Sequence, residues 1–109
     1  MATKANLVID QGTTFSTTVT LTDDNGDLVN LVDYTGAAQI RKHFTSSTAT
    51  SFDVTLGGAN GTVTIALSAN TTSGLTAGRY VYDVELTDSA SAVSRVLEGI
   101  ATVTPEVTK

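Results

Sequence analysis

The chain has 109 residues, no cysteine and no tryptophan, and a formal net charge of −5. That length suits one domain able to bury a core without staples, and the missing thiols exclude disulfides and thiolate metal sites. The acidic balance argues against a phosphate-binding, nucleic-acid-directed surface, and no segment reaches the roughly 20 apolar residues of a membrane span.

In chain order, Met1 to Asn6 lacks the apolar run of a secretory signal, so synthesis in a cytoplasm as a soluble protein is expected. Leu7 and Ile9 form a short alternating pair that stops at Asp10-Gln11-Gly12. Phe15, Thr17, Val19 and Leu21 then alternate with Ser16, Thr18 and Thr20, the period of a half-buried strand. Asp23-Asp24-Asn25-Gly26-Asp27 holds an Asn-Gly hairpin signal and should return the chain through residues 28–31. A turn is expected over 33–36, a strand around Ala38 and Ile40, and a loop over 45–51. Phe52, Val54 and Leu56 alternate again, and the glycines of 57–61 turn the chain into Val63, Ile65 and Leu67. Residues 68–74 are the one plausible helical turn, with Ser68 as its N-cap. A strand carrying Tyr80, Tyr82, Val84 and Leu86 follows, then a hairpin loop over 87–91 and a long last strand over 92–104. Pro105 ends it and leaves a flexible tail.

Gly78, followed two residues later by Tyr80 at the start of a late strand, has the spacing of a tyrosine corner. There the ring enters the core and its hydroxyl bonds back to the preceding loop. Short strands, frequent turn signals and a single helical turn predict an all-β fold. The expected form is an antiparallel immunoglobulin-like β-sandwich of about seven strands, a single domain over 1–109. On the last strand Val93, Leu97, Gly99, Ala101 and Val103 form the expected core face. The other face places Val96 and Ile100 outward, as ordinary surface or as a partner-facing patch.

Candidate chemistry is thin. The acids of 23–27 lack the twelve-residue spread and closing glutamate of a calcium loop and read as a turn. His43 is the only histidine, with no nucleophile motif beside it, so it reads as a strand-end surface residue with Arg41 and Lys42. Asp83 and Glu85 share an outward strand face without the cleft or the stacking aromatics that a glycosidase needs. The glycines of 57–61 have no following helix with Lys-Ser/Thr to make a phosphate cradle. The expectation is no enzyme, with no catalytic, metal or cofactor residues.

Several segments together carry a resemblance. They are Gln11-Gly12-Thr13-Thr14-Phe15, Asp24-Asn25-Gly26 followed by Leu31, and Tyr34-Thr35-Gly36-Ala37-Ala38-Gln39-Ile40-Arg41. The Ala77-Gly78-Arg79-Tyr80-Val81-Tyr82-Asp83 corner and Leu97-Glu98-Gly99 through Thr104-Pro105-Glu106-Val107-Thr108 complete the set. In this order the chain resembles small β-sandwich proteins of tailed bacteriophages and prophages, and is similar to the immunoglobulin-like N-terminal domain of phage baseplate upper proteins. The resemblance implies a non-catalytic structural protein located in the virion. Such a protein packs on the head as decoration, or in the neck, tail or baseplate. Its partners would be other capsid or tail proteins or further copies of itself, with neither nucleic acid nor membrane. The other class open at this point is a host-surface recognition or adhesion module.

Overall fold

A computed structural model describes residues 3–23, 25–43 and 45–107. Asp24 of the acidic turn and Thr108 of the C-terminal motif lie outside the described residues. The strands in chain order are β1 (Thr3–Lys4), β2 (Leu7–Asp10), β3 (Phe15–Thr20), β4 (Thr35–Arg41), β5 (Thr50–Ser51), β6 (Asp53–Leu56), β7 (Thr62–Leu67), β8 (Gly78–Thr87) and β9 (Val93–Thr104). A 3₁₀ turn at Gly58–Asn60 precedes β7, and one helical turn, α1 (Ala69–Ser73), follows it. Two of the strand lines are interrupted, β1 from β2 and β5 from β6, so the nine segments trace seven lines.

They form two sheets. The larger runs β1–β9–β8–β4–β5 with β2 also on β9, and the smaller runs β3–β7–β6. Apart from β1 and β2, which lie parallel to β9, all the pairings are antiparallel. The protein is an all-β sandwich of immunoglobulin-like type, with the N-terminal line joined to the larger sheet.

The period-two pattern explains the core. Tyr80, Tyr82, Val84 and Leu86 of β8 face Val63, Ile65 and Leu67 of β7 across the sandwich, and all are buried. Phe52 sits where the chain leaves β5 in one sheet for β6 in the other. Its N–H donates to Ala38 O at 2.9 Å, and its ring lies 6.3 Å from Phe15 and 6.2 Å from Tyr82. An aromatic at the crossing therefore seals the gap that a sheet switch opens. The segment expected as loop over 45–51 ends in β5, and β4 begins at Thr35, inside the expected turn.

Ser68 caps α1 by accepting from Thr71 N–H at 3.3 Å. Thr72, fully buried, donates from Oγ1 to Thr13 O at 2.7 Å, which moors this turn to the entry of β3. Gln11 joins two distant segments: its Nε2 donates to Leu75 O at 2.7 Å, and its Oε1 accepts from Glu106 N–H at 3.0 Å. The residue after Pro105 is thus held to the domain, where a free tail was expected.

The last strand departs from simple alternation. Val84 pairs with Leu97, yet Glu85 pairs with Arg95, so Val96 is an extra residue, a β-bulge. One inserted residue exchanges the two faces of everything beyond it. Val93, expected in the core, is 61% exposed. Val96, expected outside, packs against the core. Ile100 lies on the other side of the bulge from Val93, keeps its expected face and points outward, 36% exposed. The expected outer pair of Val96 and Ile100 does not exist.

Candidate functional site

The bulge builds the most differentiated surface of the molecule, the outer face of the larger sheet. Without it Arg95 would stand opposite Leu86 and point inward; with it Arg95 stands opposite Glu85 and points outward. Asp83 and Glu98 are direct cross-strand partners, a like-charge pairing that destabilises a sheet. Arg95 answers both: its guanidinium lies 3.2 Å from Asp83 and 3.8 Å from Glu98. These side chains are a third to a half exposed, so each contact contributes about 0–1 kcal/mol. Their larger effect is to fix a charge pattern on the surface.

Beside the charges runs an apolar row. Val81 pairs directly with Ile100, and Val8 of β2, paired with Thr102, stands diagonally beside Ile100 on the same face. Val8 is 64% exposed. Lys4, Gln39 and Arg41 complete the border of a shallow groove that also includes Asp83, Arg95 and Glu98. Most of the lining residues are polar or charged and the groove is open, unlike the enclosed pockets of small-molecule sites.

A second arrangement holds the N-terminal strand in place. Gly99 pairs with Tyr82, and a Cβ at Gly99 would come within 1.9 Å of Ala5 O. The bare glycine lets the N-terminal backbone cross, as glycine inside a strand commonly does. Tyr82 OH donates to that same Ala5 carbonyl at 2.6 Å. Asn6 replaces the interrupted ladder, its Oδ1 accepting from Ile100 N–H at 3.2 Å. Burial raises the Tyr82 pKa above its usual value of 10.0 by desolvating the phenolate.

The structure places the sequence-derived candidates as follows. Tyr80 is 9% exposed, and its hydroxyl donates to Thr76 O at 2.7 Å, four residues upstream. Gly78 has φ +142° and approaches Lys42, whose ammonium lies 4.9 Å from the Tyr80 ring centre. Asp23 Oδ1 accepts from Asn25 and Asp27 N–H at 2.9 and 3.0 Å, so this carboxylate organises its own turn. His43 is exposed, and its backbone N–H donates to Ser46 Oγ at 2.9 Å. Asp83 belongs to the Arg95 ion pairs. Among the described residues, no group of three or more His, Asp or Glu side chains is placed to hold a metal ion, and no helix is long and apolar enough to cross a membrane.

Sequence reasoning placed Arg95 with Glu98 on the rim of the outer patch but missed its ion pairs, and it missed the roles of Val8 and Gly99. Arg95 carried a signal, being a charged residue in the middle of the face otherwise read as core. Gly99 carried another, being a glycine inside a long strand.

No protein-family model and no curated protein matches the chain. Among solved structures it is similar to an internalin-like protein of Listeria monocytogenes, with 18% identity, TM-score 0.48, and 96% of this chain covered but 28% of that one. A chain from a study of multimeric cell-adhesive interactions of VGSC beta subunits gives 15% identity and TM-score 0.44, covering 93% of this chain and 92% of that one. A family 123 glycoside hydrolase from Clostridium perfringens gives 12% identity and TM-score 0.43, covering 97% of this chain and 24% of that one.

Proposed function

We propose that the protein is a non-catalytic structural module of a tailed-phage virion, which packs on the head or in the neck, tail or baseplate through contacts with other virion proteins. The observation that carries the contact is the row Val81–Ile100–Val8, bordered by Lys4, Asp83, Arg95 and Glu98. A protein interface wants an apolar centre that desolvates within a polar, charge-matched rim, and this face supplies both. The virion setting is supported by the resemblance of the segments from Gln11 to Thr108, which together span most of the chain.

Quantitative mass spectrometry of purified particles tests the setting. The protein should be present at a fixed copy number, high for decoration and low for a tail position. Ile100→Asp should leave the isolated domain folded by circular dichroism, because Ile100 faces outward on the larger sheet. It should still sharply reduce incorporation by burying an unpaired charge. Normal incorporation of that variant would move the contact to another surface. Absence of the protein from particles would remove the virion reading.

One observation favours a second reading, a host-surface recognition or adhesion module. The connections over 21–34 and 57–61 converge at one end of the sandwich, joined by Leu31 N–H to Gly58 O at 2.9 Å and Leu21 N–H to Gly61 O at 2.8 Å. Loops gathered at one end of an immunoglobulin-like sandwich can form a recognition surface. Binding to host cells that is lost on changing the exposed Leu28 and Val32, with Ile100→Asp silent, would select it.

A further inference from the structure

We propose that the free edge of β3 pairs with β3 of a second copy across a two-fold axis, extending the three-stranded sheet into a six-stranded one. The proposal is independent of any virion setting. It begins with topology: in immunoglobulin-like sandwiches a first strand can cover the edge of the second, but here β1 and β2 both lie on β9. Among the described residues, β3 is the end strand of the smaller sheet.

The direction of its backbone groups follows from the ladder. Leu21 N–H donates to Gly61 O, in continuation of the register that pairs Thr20 with Thr62. Alternate residues of an antiparallel strand present their N–H and C=O to the same side. Phe15, Thr17 and Val19 therefore bond toward β7, while Ser16, Thr18 and Thr20 offer theirs to the open edge. Packing gives an independent sign of a missing neighbour. Val63, Ile65 and Leu67 on β7 are 2%, 1% and 2% exposed, whereas Phe15, Thr17 and Val19 on the same inner side are only partly buried.

Charge identifies the occupant. Exposed strand edges usually carry Lys, Pro, a bulge or inward charges that discourage pairing. Residues 11–22 contain no charge and no proline; of the other edge strands, β1, β2 and β6 carry Lys4, Asp10 and Asp53, and the uncharged β5 is only two residues long. For a chain of net charge −5, most two-fold contacts bring like charges together, but a contact at β3 brings none. Centred on Thr18, the two-fold sets Thr18 against Thr18, Ser16 against Thr20 and Thr17 against Val19. Hydroxyl residues then meet on the outer face and β-branched residues meet inside, both favourable cross-strand pairings. Thr18 and Thr64 already join by a 2.8 Å hydroxyl bond on that outer face, and the dimer continues the row.

One strand pairing is smaller than the roughly 1,200–2,000 Å² of stable complexes. Self-association is therefore sought from high micromolar to millimolar concentration, by sedimentation equilibrium of the full chain. The expected result is a monomer–dimer equilibrium. With rising concentration, hydrogen exchange should slow at the amides of Ser16, Thr18 and Thr20. Thr18→Lys places two like charges opposite each other at the axis and should raise the dissociation constant by more than about tenfold. Thr64→Lys, one strand inward on the same face, should leave the dimer intact, with circular dichroism confirming that both variants fold. A chain that stays monomeric at millimolar concentration overturns the proposal. So does a dimer indifferent to Thr18→Lys, or one that protects amides at another edge. Protection of residues 16, 18 and 20 seen only in assembled particles would give the edge to a strand of a different protein and overturn the second copy as its occupant.

Discussion

The two outer faces of the sandwich are built from the same period-two alternation and share one core, yet they are chemically opposite. On the larger sheet the outward positions of β8 and β9 include Asp83, Glu85, Arg95 and Glu98, with Val81 and Ile100 beside them. On the smaller sheet the outward grid reads Ser16–Ala66–Asp53, Thr18–Thr64–Thr55 and Thr20–Thr62, with one charge in eight positions. The larger sheet also holds the buried hydroxyls of Tyr80 and Tyr82, the bulge and the crossing N-terminal strand. The smaller sheet is regular throughout, with no register shift in either of its pairings. Irregularity and specific polar bonding thus gather on one sheet, and that is where single substitutions should be felt most.

The largest difference should come from the core side. Tyr80→Ala removes a buried ring on β8 together with its bond to Thr76, and should destabilise the protein by about 3–5 kcal/mol. Tyr80→Phe keeps the ring and should cost about 0.5–1.5 kcal/mol. Equilibrium denaturation measures both. A Tyr80→Ala midpoint equal to wild type would mean that the larger sheet owes nothing to its corner.

Gly99→Val comes next. Its side chain would occupy the place of the Ala5 carbonyl, 1.9 Å from where a Cβ would lie. The N-terminal strand must shift or leave, at about 1–3 kcal/mol for an overpacked site. Faster hydrogen exchange at Ala5 and Ile100, which bond across this crossing, would report the displacement directly. Gly74→Ala, where a Cβ meets nothing closer than 3.5 Å, is the matched control and should change little.

Tyr82→Phe removes the hydroxyl that holds Ala5 and should cost about 0.5–1.5 kcal/mol at neutral pH. The pH dependence sharpens the point. Burial raises the folded-state pKa of Tyr82 above 10.0, so the fold favours the protonated phenol. That contribution is complete below about pH 10 and is lost as pH rises through the folded-state value. Wild type should therefore lose stability above pH 10 more steeply than Tyr82→Phe. Parallel alkaline unfolding curves for the two would remove Tyr82 as a titrating tether.

The contrast between regular and irregular regions also explains what the sequence made legible. Where alternation ran unbroken, as in Phe15–Thr20 and Thr62–Leu67, strand and face were readable from residue order alone. The spacing of Gly78 and Tyr80 marked the corner because a tyrosine corner is local, its partner Thr76 lying only four residues away. The bulge at Val96 was not readable from alternation, since an inserted residue leaves composition unchanged and shows only as a face that stops making sense. Arg95 among Val93 and Leu97 was that sign. The pairing of Leu7–Asp10 with β9 was hidden for another reason: the partners lie some 94 positions apart in sequence, and no short-range pattern encodes which sheet a terminal strand joins.

The smallest expected effects lie on the outer faces themselves, and salt should separate them. Thr64→Val removes a hydroxyl whose bond to Thr18 is open to solvent, and valine fits a pleated surface as well as threonine does. Stability should change by less than about 0.5 kcal/mol, equally at low and high ionic strength. Arg95→Ala leaves Asp83 and Glu98 facing each other without their shared cation. It should cost up to about 1 kcal/mol at low ionic strength. At 1 M salt, where the screening length falls to about 3 Å, most of that cost should vanish because attraction and repulsion are damped together. Chemical denaturation by urea, which is uncharged, at both salt concentrations makes the measurement. Equal salt dependence for Thr64→Val and Arg95→Ala would mean that the charge pattern on the larger sheet has no energetic consequence, and that the two faces differ in composition alone.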